Sequence, residues 1–284
     1  MRKLDTNSKV THYLIRYSII ILGFVTVGMG SYYFAAPWWN SLLHAHVINE
    51  LSAASASTNA EDKNEKLRLE AHDYNLKFLA SGDNSNYMYM MGDTGAHIIG
   101  RIKIPKIKVD LPIYKMPPES ADEVLRKGAG HMMETTLPVG GTATHAAITA
   151  HRGLASSMLF TDLDQVKVGD EFTIETLGRA LVYRVDTVRI VDPDETDWLV
   201  VDPDRDLVTL ITCDPLGINS HRMLVTGERI YPTPEYALKD LGKKSDQPGF
   251  PWWILGFIAG GGAVVAISFW ATPNPKSQKA KKSD

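Results

Sequence analysis

The sequence predicts a mainly β protein: a closed or nearly closed β-barrel with short helices, carried between two membrane-spanning helices. Three observations lead there. Two uncharged apolar runs, 17–36 and 250–271, lie one near each end of the chain. From Gly100 onward, short segments alternate apolar and polar residues with period two, which is the strand signal. Turn-forming residues separate these segments, and many short strands with little helix between them favour a barrel. The 284 residues leave enough chain between the two runs to bury a core without disulfides.

Residues 1–16 carry Arg2, Lys3, Lys9 and Arg16 and are expected in the cytoplasm. The run 17–36, YSIIILGFVTVGMGSYYFAA, is long enough to cross a bilayer, and Tyr32, Tyr33, Trp38 and Trp39 supply an interfacial belt at its far end. No small-x-small cleavage site follows a short apolar core, so a retained anchor is favoured over a signal peptide. Residues 37–99 read as helical to about Leu79, with a polar break at SAASASTNAEDKNEK and a loop at SGDNSN. The barrel is expected over 100–232, with strands in RIKIPKIKVDLPIY, HAAITA, EFTIETL, ALVYRVDTVRIV, LVTLITC and HRMLVTGERI. Short helices are expected at ADEVLRKG and SSMLFTDLDQV. A linker, 233–249, leads to the second span, 250–271, bracketed by Trp252, Trp253 and Trp270. The tail 272–284 adds Lys276, Lys279, Lys281 and Lys282. Basic residues outside both spans put both termini in the cytoplasm and the middle of the chain outside the cell.

The net charge of −3 gives no basic footprint for nucleic acid. One cysteine, Cys213, excludes an internal disulfide and any zinc site built on several cysteines. A lone cysteine is either a small buried hydrophobe or a reactive thiolate. The run Leu207 to Thr212 is β-branched and apolar, and the loop Asp214 to Asn219 separates it from a second strand beginning at His221. Paired as a hairpin, the two strands bring Cys213 beside Arg222 at one rim. A fixed cation there favours a thiolate and can hold an oxyanion; the plainer reading makes Arg222 a surface residue on an edge strand. A nucleophilic cysteine needs a proton partner. His145 and His151 share one face if the strand runs through both, and His221 is a third candidate, although a strand that points Arg222 at the thiol points His221 away.

TLITC at Thr209 to Cys213 with Arg222 nine residues on, and TAHRG at Thr149 to Gly153, closely resemble the two signature segments of the sortases. GRIKIPKIKVDLPIY, LPVGGTATHAAITAHRGL, LFTDLDQVKVGDEF and DPLGINSHRMLVTG, together with the C-terminal anchor, are most similar to the class C, pilin-assembling sortases. The resemblance covers about Gly100 to Ile230 and implies the eight-stranded sortase barrel. It implies Cys213 as nucleophile, His151 as acid/base and Arg222 as substrate and oxyanion clamp. Leu210 and Thr212, in the strand leading to the thiol, are read as substrate-binding positions. The implied reaction is cleavage of an LPxTG-type sorting signal between Thr and Gly, with transfer of the acyl group to a pilin lysine and no metal or organic cofactor. The implied partners are pilin subunits, or a peptidoglycan precursor if the enzyme is a housekeeping sortase. A membrane-tethered β-domain with an inert Cys213 is the alternative outside catalysis. Class C sortases carry a long lid with an Asp-Pro-aromatic motif ahead of the first strand. Here the matching stretch, FLASGDNSNYMYMMGDTGAHIIG, is short and lacks the motif, which leaves Asp83 and Tyr87 as possible lid residues over an expectedly open site.

Overall fold

Period-two runs punctuated by turn residues build a closed, eight-stranded barrel in the computed structural model, which describes residues 3–55, 60–92 and 97–272. In chain order the elements are α1 (Lys3–Ser55), α2 (Ala60–Ser81), β1 (Ile98–Ile104), β2 (Val109–Met116), α3 (Ala121–Lys127), β3 (Ala129–Met132), β4 (Thr144–Thr149), β5 (Glu171–Thr176), β6 (Arg179–Val191), β7 (Asp206–Asp214), β8 (His221–Arg229), α4 (Glu235–Asp240) and α5 (Trp253–Ala271). Two compact units emerge: Met1–Trp39 with Pro248–Asp284, and Asn40–Gln247.

The first unit pairs the two apolar helices. Both α1 and α5 are long and apolar enough to cross a membrane. A Cβ at Gly23 would lie 2.5 Å from Val264, and Gly260 and Gly261 leave similar room for Val27 and Phe24. Small residues at such crossings let helix backbones approach closely. Arg16 Nε donates to Thr272 Oγ1 at 2.8 Å, and its guanidinium lies 4.4 Å from the centre of the Phe269 ring. Arg2 and the tail lysines 276, 279, 281 and 282 lie outside the described residues.

The second unit is the barrel, with strand order β1-β2-β3-β4-β7-β8-β6-β5. β2–β3 and β4–β7 pair in parallel, and the other neighbours pair antiparallel. Closure between β1 and β5 relies on Gly100, where a Cβ would lie 2.7 Å from the Glu175 carbonyl oxygen. The interior is filled by Ile102, Ile104, Ile113, Ile148, Phe160, Phe172, Ile174, Leu210 and Val225, all fully buried. Burying each such side chain stabilises the fold by about 1.5–3 kcal/mol.

Local differences from the expectation have physical causes. RIKIPKIKVDLPIY is two strands, because Pro105 opens a tight turn and Lys108 closes it in the left-handed region at φ 54. The segment 156–166 forms turns, with only a 3-10 turn at Leu163–Gln165, because Leu159 sits at φ 39 while Phe160, Leu163 and Val166 insert into the core. β4 ends at Thr149, so His145 and His151 do not share one strand face.

Strand register gives the barrel two distinct ends. Ile104, Ala129, Thr149, Val191, Cys213 and Arg222 mark one end. Ile98, Met116, Thr144, Thr176, Asp206 and Arg229 mark the other. α2 crosses that second end: Arg68 donates to the Leu177 carbonyl at 2.6 Å, and Asn75 brackets Leu137 by accepting from its N–H at 2.7 Å and donating to its carbonyl at 3.1 Å.

Candidate active site

Antiparallel pairing of β7 with β8 sets Cys213 directly opposite Arg222 and Asp214 opposite His221. The loop between them turns tightly: Ile218 and Asn219 both donate to the Pro215 carbonyl, at 3.1 and 3.0 Å. Gly217 and Asn219 adopt positive φ there, which glycine and asparagine tolerate best. The sequence reading of a hairpin with the thiol and the guanidinium at one rim matches this register.

His151 arrives from the other side of β7. The parallel ladder pairs Thr149 with Ile211, and Ala150 extends it by donating to the Ile211 carbonyl at 3.1 Å. Thr212 Oγ1 donates back to the Ala150 carbonyl at 2.9 Å. His151 follows directly, at the same end of the barrel as Cys213. Gly153, at φ 75, leaves room for Leu216, since a Cβ there would lie 2.4 Å from Leu216 Cδ1. The loops after His151 and after Cys213 are therefore in contact.

The three groups are accessible without being fully exposed. Cys213 carries a free thiol and is half-buried, as are His151 and Arg222. Arg222 Nη1 donates to the carbonyls of Asn219 and His221, at 3.2 and 3.0 Å. Its Nε and Nη2 carry no hydrogen bond among the described residues, so the guanidinium keeps donors for a ligand. His151 Nε2 lies 4.0 Å from Asp122 Oδ1 on α3. A soft nucleophile, an imidazole and a spare guanidinium at one rim form a set suited to acyl transfer.

The other histidine candidates are occupied elsewhere. His145 is buried, its Nε2 2.7 Å from Thr209 Oγ1 and its Nδ1 3.1 Å from the Val200 carbonyl. Burial holds its imidazole below the usual range, as a neutral core group. His221 turns to Ser220 Oγ, 2.8 Å away, and to Asp192, 3.5 Å away.

Two sequence expectations need correction. Leu210 is fully buried in the core, and Thr212 is buried with its hydroxyl given to Ala150, so neither side chain is free to meet a substrate. Tyr87 and Asp83 are not set over the thiol. Tyr87 is buried at the α2 end of the barrel, where its hydroxyl lies 3.0 Å from His131 Nδ1 and accepts from the Met116 N–H at 3.2 Å. Asp83 is exposed and accepts from the Ser85 N–H at 2.9 Å, which holds its carboxyl below the usual range. Lys115, buried in β2, fixes the same segment by donating to the carbonyls of Met88 and Gly92.

Sequence reasoning missed the ionic frame of the rim. Arg152 donates to Asp214 Oδ1, to Asp164 Oδ2 at 2.6 Å and to the Thr161 carbonyl at 3.1 Å. The available signal was that Arg152 immediately follows His151 and Asp214 immediately follows Cys213.

Residues 102–230 match the sortase domain family. The chain is similar to the crystal structure of sortase C-1 from Actinomyces oris, at 41% identity and TM-score 0.55, covering 60% of this chain and 98% of that one. Sortase C1 from Streptococcus agalactiae aligns at 35% identity and TM-score 0.61, covering 65% of this chain and 98% of that one. Among curated proteins, sortase A of Bacillus anthracis is 33% identical over 134 residues, which is 47% of this chain and 60% of that protein. The barrel, its rim and these likenesses together identify the chain as a member of the sortase family of cysteine transpeptidases, with class C sortases as its structural neighbours.

Proposed function

We propose that this sortase assembles pilins. Cys213 Sγ attacks the carbonyl carbon of the Thr–Gly bond in an LPxTG-type sorting signal. The resulting oxyanion takes hydrogen bonds from the free donors of Arg222. His151, as imidazolium, gives its proton to the departing glycine amine, the C–N bond breaks and a thioester remains on Cys213. A pilin lysine amine then attacks the thioester, its proton passes to His151, and the thiolate leaves as the new amide forms. The register pairing of Cys213 with Arg222 carries this reading. Class C neighbours at 41% and 35% identity, matched over 98% of their length, support the pilin acceptor.

The spans 17–36 and 250–271 hold the enzyme in the cell membrane, with both termini cytoplasmic and the catalytic unit on the extracellular face of a Gram-positive cell. Pilins tethered in the same membrane then meet the rim as they emerge. A second reading, transfer to a peptidoglycan precursor, is favoured by the curated relatives named sortase A.

The test uses the full chain in detergent with an LPxTG peptide and intact-mass detection. An acyl adduct on the wild type and none on Cys213→Ala is the expected result. Offering a pilin lysine peptide and a peptidoglycan stem amine in competition then separates the two acceptors. An adduct that persists in Cys213→Ala overturns the mechanism.

A further inference from the structure

We propose that Arg152 is a positioning residue for this reaction, acting through Asp214: its ion pair braces the two loops that carry His151 and Cys213 and keeps a carboxylate from opposing the thiolate. The inference rests on the reading of Cys213 as nucleophile.

Arg152 and Asp214 sit one residue beyond His151 and Cys213, on segments joined by the β4–β7 ladder. Only 7% of the Arg152 side chain and 16% of the Asp214 side chain is exposed. The three donor nitrogens of Arg152 reach two segments: Nη1 goes to Asp214, while Nη2 goes to Asp164 and Nε to the Thr161 carbonyl in one loop. The last two contacts fold 152–164 back on itself, a closure that Gly153 N–H adds to by donating to Thr161 Oγ1 at 3.1 Å. Phe160 N–H donates to the His151 carbonyl at 3.1 Å, so the same loop fixes the histidine backbone. One guanidinium thus ties the backbone on the far side of His151 to that on the far side of Cys213. Arginine suits this, because its planar fork reaches several acceptors with little rotamer freedom left to lose.

The electrostatic part follows from sequence adjacency. Consecutive Cα atoms lie about 3.8 Å apart, so the Asp214 charge is close to the thiol even though the two side chains leave opposite faces of the strand. A nearby like charge disfavours a thiolate. The charged groups around Cys213 are Arg222 across from it on β8, His151 beyond β4 with Asp122 4.0 Å behind the ring, and Asp214 with Arg152 paired to it. His221 is turned away to Asp192. Arg152 is the group that neutralises Asp214.

Because Cys213 is the sole cysteine, alkylation of the full chain by iodoacetamide reads this thiol alone, whether or not the enzyme turns over. The rate is measured against pH for wild type, Arg152→Gln, Asp214→Asn and the double variant, beside transpeptidation. In Arg152→Gln the alkylation midpoint should rise by roughly half a unit to one unit, slowing the reaction at neutral pH about 3- to 10-fold. Asp214→Asn alone should leave the midpoint unchanged or lower it. The double variant should recover the wild-type midpoint while its kcat stays depressed, because the brace is still missing. A wild-type midpoint in Arg152→Gln overturns the proposal, as does a double variant that keeps the raised midpoint. If Arg152→Gln does not fold, Asp214→Asn decides alone: a raised midpoint there overturns the idea. Failure of the wild type to form a thioester with normal alkylation shifts in the variants would instead strike the functional reading and leave the ion pair's effect on the thiol established.

Discussion

The two ends of the barrel handle polar groups in opposite ways. At the α2 end, several polar side chains are buried and tied to fixed partners. Asn75 brackets Leu137, Tyr87 meets His131, and buried Asp206 accepts from Gly141 N–H, Tyr183 and Tyr231 at 2.9, 3.1 and 3.1 Å. At the Cys213 end, the thiol is free, the histidine lies half-exposed, and the arginine keeps donors unspent among the described residues. Asn75, Tyr87 and Asp206 are spent on the fold, as Arg152 is at the other end, whereas Arg222 keeps Nε and Nη2 without a hydrogen bond among the described residues. His131 and His151, both imidazoles in one small barrel, differ in burial and partners: His131 is fully buried and bonded, and His151 is half-exposed.

The largest expected effect breaks this contrast at the open end. Arg222→Ala removes donors whose partners among the described residues are the adjacent carbonyls of Asn219 and His221. Transpeptidation should fall about 10²- to 10³-fold, while the urea midpoint stays close to that of the wild type. A large loss of stability with unchanged activity would reverse the assignment of the two ends.

The open end was far more legible in the sequence than the closed one. The β7–β8 hairpin follows from a β-branched run, a turn-rich loop and period two, all local to 207–229, and it delivered Cys213 opposite Arg222. β3 was missed because it is four residues long, AGHM, and exists by pairing with β2 and β4 rather than by its own pattern. The apolar spacing of 156–166 mimicked a helix, but tertiary insertion of Phe160 and Leu163 overrode it. α2 was readable as a helix, yet its role as a cap was not. Asn75 finds Leu137 at a separation of 62 residues, and no local signal encodes that. Arg152 and Asp214 pair across the same separation of 62 residues, and the one signal for them was that each directly follows a candidate site residue.

An intermediate effect sharpens the comparison at the closed end. Asn75→Ala strands the N–H of Leu137 in a buried site, while the Leu137 carbonyl keeps the Val139 N–H at 2.8 Å. One unsatisfied buried group costs about 1–3 kcal/mol, so stability should fall by that amount. Urea unfolding of the full chain in detergent measures this, with the alkylation rate of Cys213 as a control that should not move. A shift in that rate would mean the two ends are coupled.

The smallest effect is the pH dependence that His131 imposes. Burial pushes its imidazole down to about 4, opposed only in part by the Thr136 carbonyl that accepts from Nε2 at 2.8 Å. In the unfolded chain the group titrates near ~6.5. Between those values the unfolded state binds a proton that the native state does not, so stability falls as pH drops through 6.5 toward 4 and is fully present above 6.5. The full difference corresponds to at most about 3 kcal/mol, and local relaxation reduces it. His145, also lowered by burial, adds to the loss in the same direction. Replacing His131 by Gln keeps a donor for Thr136 and an acceptor for Tyr87 but removes the titration. The stability lost between pH 7.5 and pH 5 should therefore shrink by about 1–2 kcal/mol in His131→Gln. Equal losses in both proteins would show that His131 takes up a proton in the native state, and that the closed end is less dry than its hydrogen bonds indicate.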